Sequence, residues 1–361
     1  MIYAAITGWG KCLPPAILSN QDLSHFIDTD DQWIRSRTGM QERRISHVPV
    51  SDLAHVACVR ALAAAGVNAA DIELIVFGSC SFDEMVPNAA SRVQQLLGAV
   101  NAAAMDVNTA CTSGMYALST ATAMIRTGVV KNALIIGAES ISPVMDWSDR
   151  NVAVLFGDGA AALVLEASTE ESGVLEQALG CFGESRDILA VHGWGLAKAN
   201  QGWQVGKTRW SFEGQEIFKK AVSGMGQAVA KVLAGANLGA EDVDLVVPHQ
   251  ANLRIIDALA KRLNVGEDKM FVNIHRYANM SAATILVALV EAVDEGRVKA
   301  GGLVLMPAFG GGLTWSAHLL KWGQRTQPLA LSDVDLPPCD KTGLELVQAI
   351  VAAKKRHELS E

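Results

Sequence analysis

The run Ala61–Phe77, ALAAAGVNAADIELIVF, returns near half the chain later as Val232–Pro248, VLAGANLGAEDVDLVVP. The two align without a gap, and seven of the seventeen positions are identical. Each copy reads as the end of an alanine-rich helix, a short turn, an acidic residue and then a β-branched strand buried on both faces. The spacing is far too long for a solenoid repeat. The order of elements also repeats: MDVNTAC leads into a helix and then NALIIGAES, while MFVNIHRYANMSAAT leads into a helix and then GGLVLMPAFGGG. Strands alternating with helices imply βα units and largely parallel sheets covered on both sides. The chain therefore divides into two similar α/β halves, 1–170 and 171–323, followed by an extension, 324–361.

With 361 residues, half of them apolar, the chain has ample material for such a core. Its six cysteines are scattered, with no CxxC pair and no zinc-ligand spacing, and read as free thiols in a reducing compartment. The start, MIYAAITGWGKCLPP, is a strand and a turn without the features of a signal peptide, and no run approaches the roughly 20 apolar residues of a spanning helix. A cytoplasmic protein that does not enter membranes is expected. A net charge of −8 argues against nucleic-acid binding, which needs a basic footprint. In the extension, Thr326–Pro338 has a linker's composition. Gly343–His357 carries Leu344, Val347, Ile350 and Val351 at helical spacing and ends in basic residues, which predicts a docked helix.

Three residues at strand-to-helix transitions could carry chemistry. Cys111 lies where a strand turns into a run of small residues beginning Thr112, Ser113, Gly114. Helix N-terminal N–H groups there would lower the thiol's pKa, although a cysteine in such a place could equally be packing. His249 follows a buried strand stopped by Pro248, at the kind of strand end where α/β sheets gather ligands. Asn279 sits before another small-residue helix, where an asparagine is also a natural N-cap. The glycine turns at Gly157 and Gly159 and at Gly310, Gly311 and Gly312 permit close backbone approach, and the latter could aim N–H groups at an oxyanion or simply pack tightly. Neither is a phosphate loop, since no Gly-Lys-Ser/Thr follows.

Taken together, NTACTSGMYAL, FGDGAAALVLEAS, PHQANLRI, RYANMSAAT and AFGGGLTW resemble the motif set of the thiolase superfamily and, more narrowly, its ketoacyl-ACP synthase III branch. The likeness runs in order from Ile2 to Trp322. It implies a five-layered αβαβα fold, a homodimer, and a Cys111–His249–Asn279 triad. It also implies an oxyanion hole from the backbone of Cys111 and Gly311; no metal, flavin or nicotinamide site is visible in the sequence, and no cofactor is expected. Trp33, Arg37 and Arg150 match positions that hold the nucleotide of an acyl-CoA, and Gly214 and Phe218 match the site entrance. A stacked purine and a phosphate suit an indole face and two guanidinium groups. The acceptor implied is malonyl-acyl carrier protein; Arg254, Lys261 and Arg262, on one face of a helix, could steer that acidic partner despite the net charge.

One departure concerns the acyl pocket. The segment DEMVP, Asp83–Pro87, has Val86 where many short-chain members carry a phenylalanine that reaches across the dimer. A roomier pocket is expected, favouring hexanoyl to decanoyl groups over acetyl, with Met85 able to refill part of it; each buried CH₂ contributes about 0.8 kcal/mol. The tryptophans of His192–Trp210 could wall this tunnel or pack a surface loop. Rival readings within the fold are a condensation without decarboxylation, a quinolone- or polyketide-type starter enzyme and a simple acyltransferase; outside it, a noncatalytic subunit. A Rossmann-type nucleotide binder is disfavoured by the lack of GxGxxG after the first strand.

Overall fold

A computed structural model describes residues 1–193 and 208–359, with side chains as far as residue 355. The repeated stretch is built as expected. Helix α3 (Val50–Ala65) ends at left-handed Gly66, and a 3₁₀ turn, Ala69–Asp71, leads to strand β4 (Leu74–Gly78). Helix α7 (Gly214–Ala236) ends at left-handed Asn237, and a 3₁₀ turn, Ala240–Asp242, leads to β11 (Leu245–Val246). Val232 lies 171 residues after Ala61, and the same offset persists well beyond the echo. It carries β6 (Asn132–Glu139) onto β12 (Leu303–Gly310), and the start of α5 (Ser113–Arg126) onto that of α10 (Thr284–Asp294).

The two sheets repeat the pattern. With β1 (Tyr3–Cys12), β5 (Ala103–Val107) and β7 (Gly159–Ser168), the first has the order β1-β7-β6-β4-β5. With β8 (Gly173–Cys181) and β13 (Thr314–Lys321), the second has the order β8-β13-β12-β11. In each, one long strand runs antiparallel to both its neighbours and the strand derived from the echo pairs in parallel. The apolar faces stack into layers. Helix α3 and α4 (Ala89–Leu97) cover the first sheet. Helices α5 and α10 fill the space between the sheets, and α7 with α8 (Leu253–Leu263) covers the second. This is the duplicated five-layered αβαβα arrangement that the resemblance implies.

Central position explains the composition of α10, which is apolar around its circumference. Its buried Glu291 is held by Lys11 at 3.3 Å, Arg276 at 3.0 Å, Asn273 at 2.9 Å and the Tyr277 hydroxyl at 2.7 Å. Small residues matter at the other interface: a side chain on Gly8 would run into the α3 backbone at Ala61, so glycine lets that helix lie flat on β1. The second half departs from the first after Phe271. The strand-like reading of MFVN reduces to one bridge, Met270 to Val246. The Asn273 N–H donates instead to the Gln250 side chain, and Ile274–Tyr277 forms a helical turn, α9.

Smaller elements roof the layers near the strand ends. They are the pair β2 (Ile17–Ser19) and β3 (Glu42–Arg44), with α1 (Asn20–Leu23) and α2 (Asp31–Thr38) between them, then α6 (Arg150–Ala153), and the antiparallel pair β9 (Leu189–His192) and β10 (Arg209–Phe212). The linker has no helix or strand and runs along α3, with the Leu329 N–H donating to the Ala64 carbonyl and Arg60 pairing with Asp335. Helix α11 (Gly343–Leu359) then docks on this roof through Leu344, Val347, Ile350 and Val351, at the spacing read from the sequence. Thr342 and Glu345 cap it reciprocally. Among the described residues, no helix is long and apolar enough to cross a membrane.

Candidate active site

The duplicated framework places two alike turns. After β5, the Asn108 side-chain oxygen accepts the Ala110 N–H at 3.2 Å, Ala110 takes φ +53°, and a 3₁₀ turn, Ala110–Thr112, opens α5. In the second half the Asn279 side-chain oxygen accepts the Ser281 N–H at 2.8 Å, Ser281 takes φ +47°, and a 3₁₀ turn, Ser281–Ala283, opens α10. Positive φ at two non-glycine residues is sparsely populated backbone, held here by the surrounding hydrogen bonds. Cys111 thus stands where the other half has Ala282, one offset of 171 residues away.

The Cys111 sulfur is buried and accepts hydrogen bonds from the Ser281 hydroxyl and from the backbone N–H groups of Gly311 and of Cys111 itself. The expected lowering of its pKa is not found. Burial pushes the thiol up to about 11, the Glu139 carboxylate adds to the rise, and the Ser281 and backbone donors offset only part of it. Removal from water disfavours the anion more than the helix N-terminus favours it. The turn at Gly310 is equally specific, since a Cβ there would stand 2.8 Å from the Cys111 nitrogen and 3.0 Å from that of Thr112.

His249 continues the parallel ladder beyond β11, its N–H donating to the Pro307 carbonyl of β12 at 2.9 Å. Three further residues along β12, about 10 Å of extended chain, reach Gly310. The imidazole is 2% exposed, its Nδ1 has no hydrogen-bond partner among the described residues, and burial lowers its pKa to about 3, so it is neutral. Asn279 is held by its backbone between Leu155 and Gly157. Its Oδ1 also accepts the Thr284 hydroxyl, which leaves the amide NH₂ as the group able to donate to a ligand.

Cys111, Ser281 and Gly311 open onto a cavity of about 1270 Å³. Its other walls include Phe156 and Trp210, whose rings lie 5.2 Å apart, Leu189 and Met85. His249 and Asn279 do not line this space; Phe156, paired to Asn279 through the backbone, does. Val86 also lies off it, 82% exposed, so of the two residues expected at the acyl pocket Met85 lines this cavity within one chain and Val86 does not. Trp210 lines the cavity, whereas Trp194 and Trp203 of the same stretch lie outside the described residues.

Outside the cavity, Arg37 and Arg150 both lie against the Trp33 ring, at 5.0 and 4.6 Å from its centre. Trp33 packs in the same cluster as Phe156 and Trp210. Gly214 opens α7 beside Phe212 of that cluster, and Phe218, one turn on, is exposed. On α8 the buried face is Ile255, Ile256 and Leu259, leaving Arg254, Lys261 and Arg262 at the surface. Arg254 donates to the Ser36 carbonyl on α2 at 2.8 Å, which joins the basic helix to the element that carries Trp33 and Arg37. Arg262 lies across α7 at Gly226.

Comparison with known proteins shows the family. Residues 105–183 match the family model described as 3-Oxoacyl-[acyl-carrier-protein (ACP)] synthase III, and residues 233–322 match the model of its C-terminal part. A protein of Vibrio cholerae named Beta-ketoacyl-[acyl-carrier-protein] synthase III 2 is 51% identical over 99% of this chain and 98% of its own. The chain belongs to the synthase III family. A Roseiflexus castenholzii synthase III is 44% identical over 89% of this chain and 98% of its own. The crystal structure of the synthase III of Aquifex aeolicus VF5 superposes with a TM-score of 0.83, at 41% identity, over 88% of this chain and all of that one.

Three residues around Cys111 are not singled out by the sequence reading. Ser281 bonds the Cys111 sulfur and comes within 3.5 Å of the Cys80 sulfur. Glu139 is fully buried at the end of β6, where it accepts the N–H groups of Cys80, Ser81 and Ala282 and the hydroxyls of Ser79 and Ser81. Burial raises its pKa against the pull of these donors. Cys80 lines the cavity with its thiol donating to Glu139, and burial, with the neighbouring carboxylate, raises its pKa well above the ordinary value. The signal that finds Ser281 and Glu139 is the 171-residue register, which sets them opposite Ala110 and Gly310.

Proposed function

We propose that this chain is a condensing acyltransferase of fatty acid synthesis that joins an acyl-CoA to malonyl-ACP with loss of CO₂. The observation that carries this reading is a buried cysteine sulfur on the wall of a large cavity, with the N–H groups of Cys111 and Gly311 directed at it. Cys111, as thiolate, attacks the thioester carbonyl; the tetrahedral oxyanion takes up those two N–H groups, and CoA departs with the proton. Malonyl-ACP then loses CO₂ to leave an enolate. Its carbon attacks the acyl-enzyme carbonyl, forms the new C–C bond and returns the Cys111 thiolate. Neutral His249 and the Asn279 amide donate to the enolate oxygen, a role that needs N–H groups and no strong base. No step calls on a metal or other resident cofactor.

Trp33, Arg37 and Arg150 hold the nucleotide of CoA, and Gly214 and Phe218 border its path. Arg254, Lys261 and Arg262 meet the acidic carrier protein. Hexanoyl to decanoyl donors are preferred, in keeping with the size and apolar lining of the cavity. Two chains associate along β5, an edge strand paired on one side by β4, and work in the cytoplasm. The test is to incubate the protein with acyl-CoAs from acetyl to palmitoyl, weigh the Cys111 adduct and then add malonyl-ACP while measuring CO₂. Acylation at Cys111 followed by CO₂ and a β-ketoacyl product is expected; no adduct, or activity surviving Cys111→Ala, would overturn the reading.

A further inference from the structure

We infer that α11 is a wall of the acyl cavity and limits the length of the acyl group that Cys111 accepts. This rests on the reading of Cys111 as the acylated residue. Leu346, Ala349, Ile350 and Ala353 all line the cavity that holds the Cys111 sulfur. They stand at i, i+3, i+4 and i+7, a single stripe about 10 Å long. None is charged, and facing walls supply Phe156, Trp210 and Leu189, so the space suits an alkyl chain.

The helix is fixed against the body in a way that presents this stripe. Val347, 1% exposed, packs with Leu344 and Val351 into the roof cluster. At its start, Gly343 lies against the Ile17 carbonyl with no room for a side chain. Near its end, the Lys354 amine donates to the Met145 carbonyl at 2.9 Å, next to Pro143 and Val144 of the cavity wall. The family model ends at residue 322, so this wall lies beyond the part of the chain that the model covers. Its two alanines are exposed and line the cavity, so a larger side chain at either would reduce the space.

The occupant is therefore the acyl chain carried by Cys111, and bulk at Ala349 or Ala353 should shorten the chain accepted. The test uses the full-length protein and Ala349→Phe, with Ala353→Phe as a second variant one turn away, each with its melting temperature and sedimentation measured. Acylation of Cys111 is followed across acetyl-, hexanoyl-, octanoyl- and decanoyl-CoA. The expected result is a fall of about tenfold or more in kcat/KM for the longest accepted donor, as a misfit of one or two methylenes produces. The shortest donor should change less than about twofold. Leu346→Ala should move the optimum toward longer donors. An unchanged length profile in folded, acylated variants overturns the inference alone. So does loss of the dimer with the profile intact, which would assign the stripe to a second copy. Absence of any adduct in the parent protein overturns the reading of the site beneath it.

Discussion

Glu139 and Gly310 close equivalent strands in the two halves, and each faces the turn nitrogen of the opposite half. The Glu139 carboxylate accepts the Ala282 N–H at 3.3 Å, whereas at Gly310 a mere Cβ would crowd the Cys111 nitrogen at 2.8 Å. One turn therefore has its N–H occupied by a carboxylate, whereas the other, facing a glycine, directs its N–H at the Cys111 sulfur. The two turns of the duplicated scaffold differ by one side chain, present at Glu139 and absent at Gly310.

Gly310→Ala should slow acylation of Cys111 by about 10²–10³, the usual cost of losing one oxyanion donor. Gly310 has φ −158°, which alanine adopts, but its Cβ would stand 2.8 Å from the Cys111 backbone nitrogen, so the turn must shift and the melting temperature should fall as well. Rapid-quench measurement of the acyl-enzyme checks this; a rate within about threefold of the parent's would show that this N–H is not used. Glu139→Ala is expected to act the other way round. It leaves the N–H groups of Cys80, Ser81 and Ala282 without their acceptor and should cost about 3 kcal/mol or more in chemical denaturation.

Cys111 and His249 together predict the pH dependence of the first step. With the thiol held up near about 11, only the minor deprotonated fraction reacts, and that fraction grows as pH rises. The acylation rate constant should climb about tenfold per unit between about pH 6 and 9. His249, held down at about 3, stays neutral throughout and adds no break. Ser281→Ala removes a hydrogen bond that lowers the thiol pKa, so it should slow acylation at any fixed pH in this range. A plateau near neutrality would show that the resting sulfur is already a thiolate.

The large-scale plan was legible because the echo of Ala61–Phe77 contains both a helix end and a strand, and both copies fold alike. The turns at Asn279 and Cys111 were legible because each sits at a visible change from strand-like to small-residue sequence. Glu139 was not: in NALIIGAES it reads as the polar end of a buried strand, and nothing local shows that three N–H groups converge on it. The thiol pKa failed for a related reason, since the turn is visible in sequence and the depth of its burial is not. Likewise α11 announces a docked helix through Leu344, Val347, Ile350 and Val351, but which cavity its other face meets depends on where the linker carries it.

Trp33 offers a way to separate nucleotide binding from chemistry. If a purine stacks between the indole and the neighbouring guanidinium groups of Arg37 and Arg150, Trp33→Ala and Arg150→Ala should each raise KM for acyl-CoA by about tenfold, within the range of a desolvated cation–π contact. Acyl thioesters of N-acetylcysteamine lack the nucleotide, so their kcat/KM should be unaffected. An equal loss with both donors would instead assign Trp33 to holding α2 in place.

The basic face of α8 makes the last prediction, because the chain as a whole is acidic, at −8, and an acidic partner must find a local exception. Arg254 is partly committed to the Ser36 carbonyl and Arg262 rests across α7, so Lys261 is the cleanest position to reverse and Arg262 the second. Lys261→Glu and Arg262→Glu should raise KM for malonyl-ACP by about tenfold, and the difference should shrink as salt screens the encounter. Cys111 acylation by acyl-CoA should be unaffected, because that step does not involve the carrier. A loss that persisted at high salt, or that also appeared in the acyl-CoA step, would place these residues in the structure of α8 and not on a docking surface.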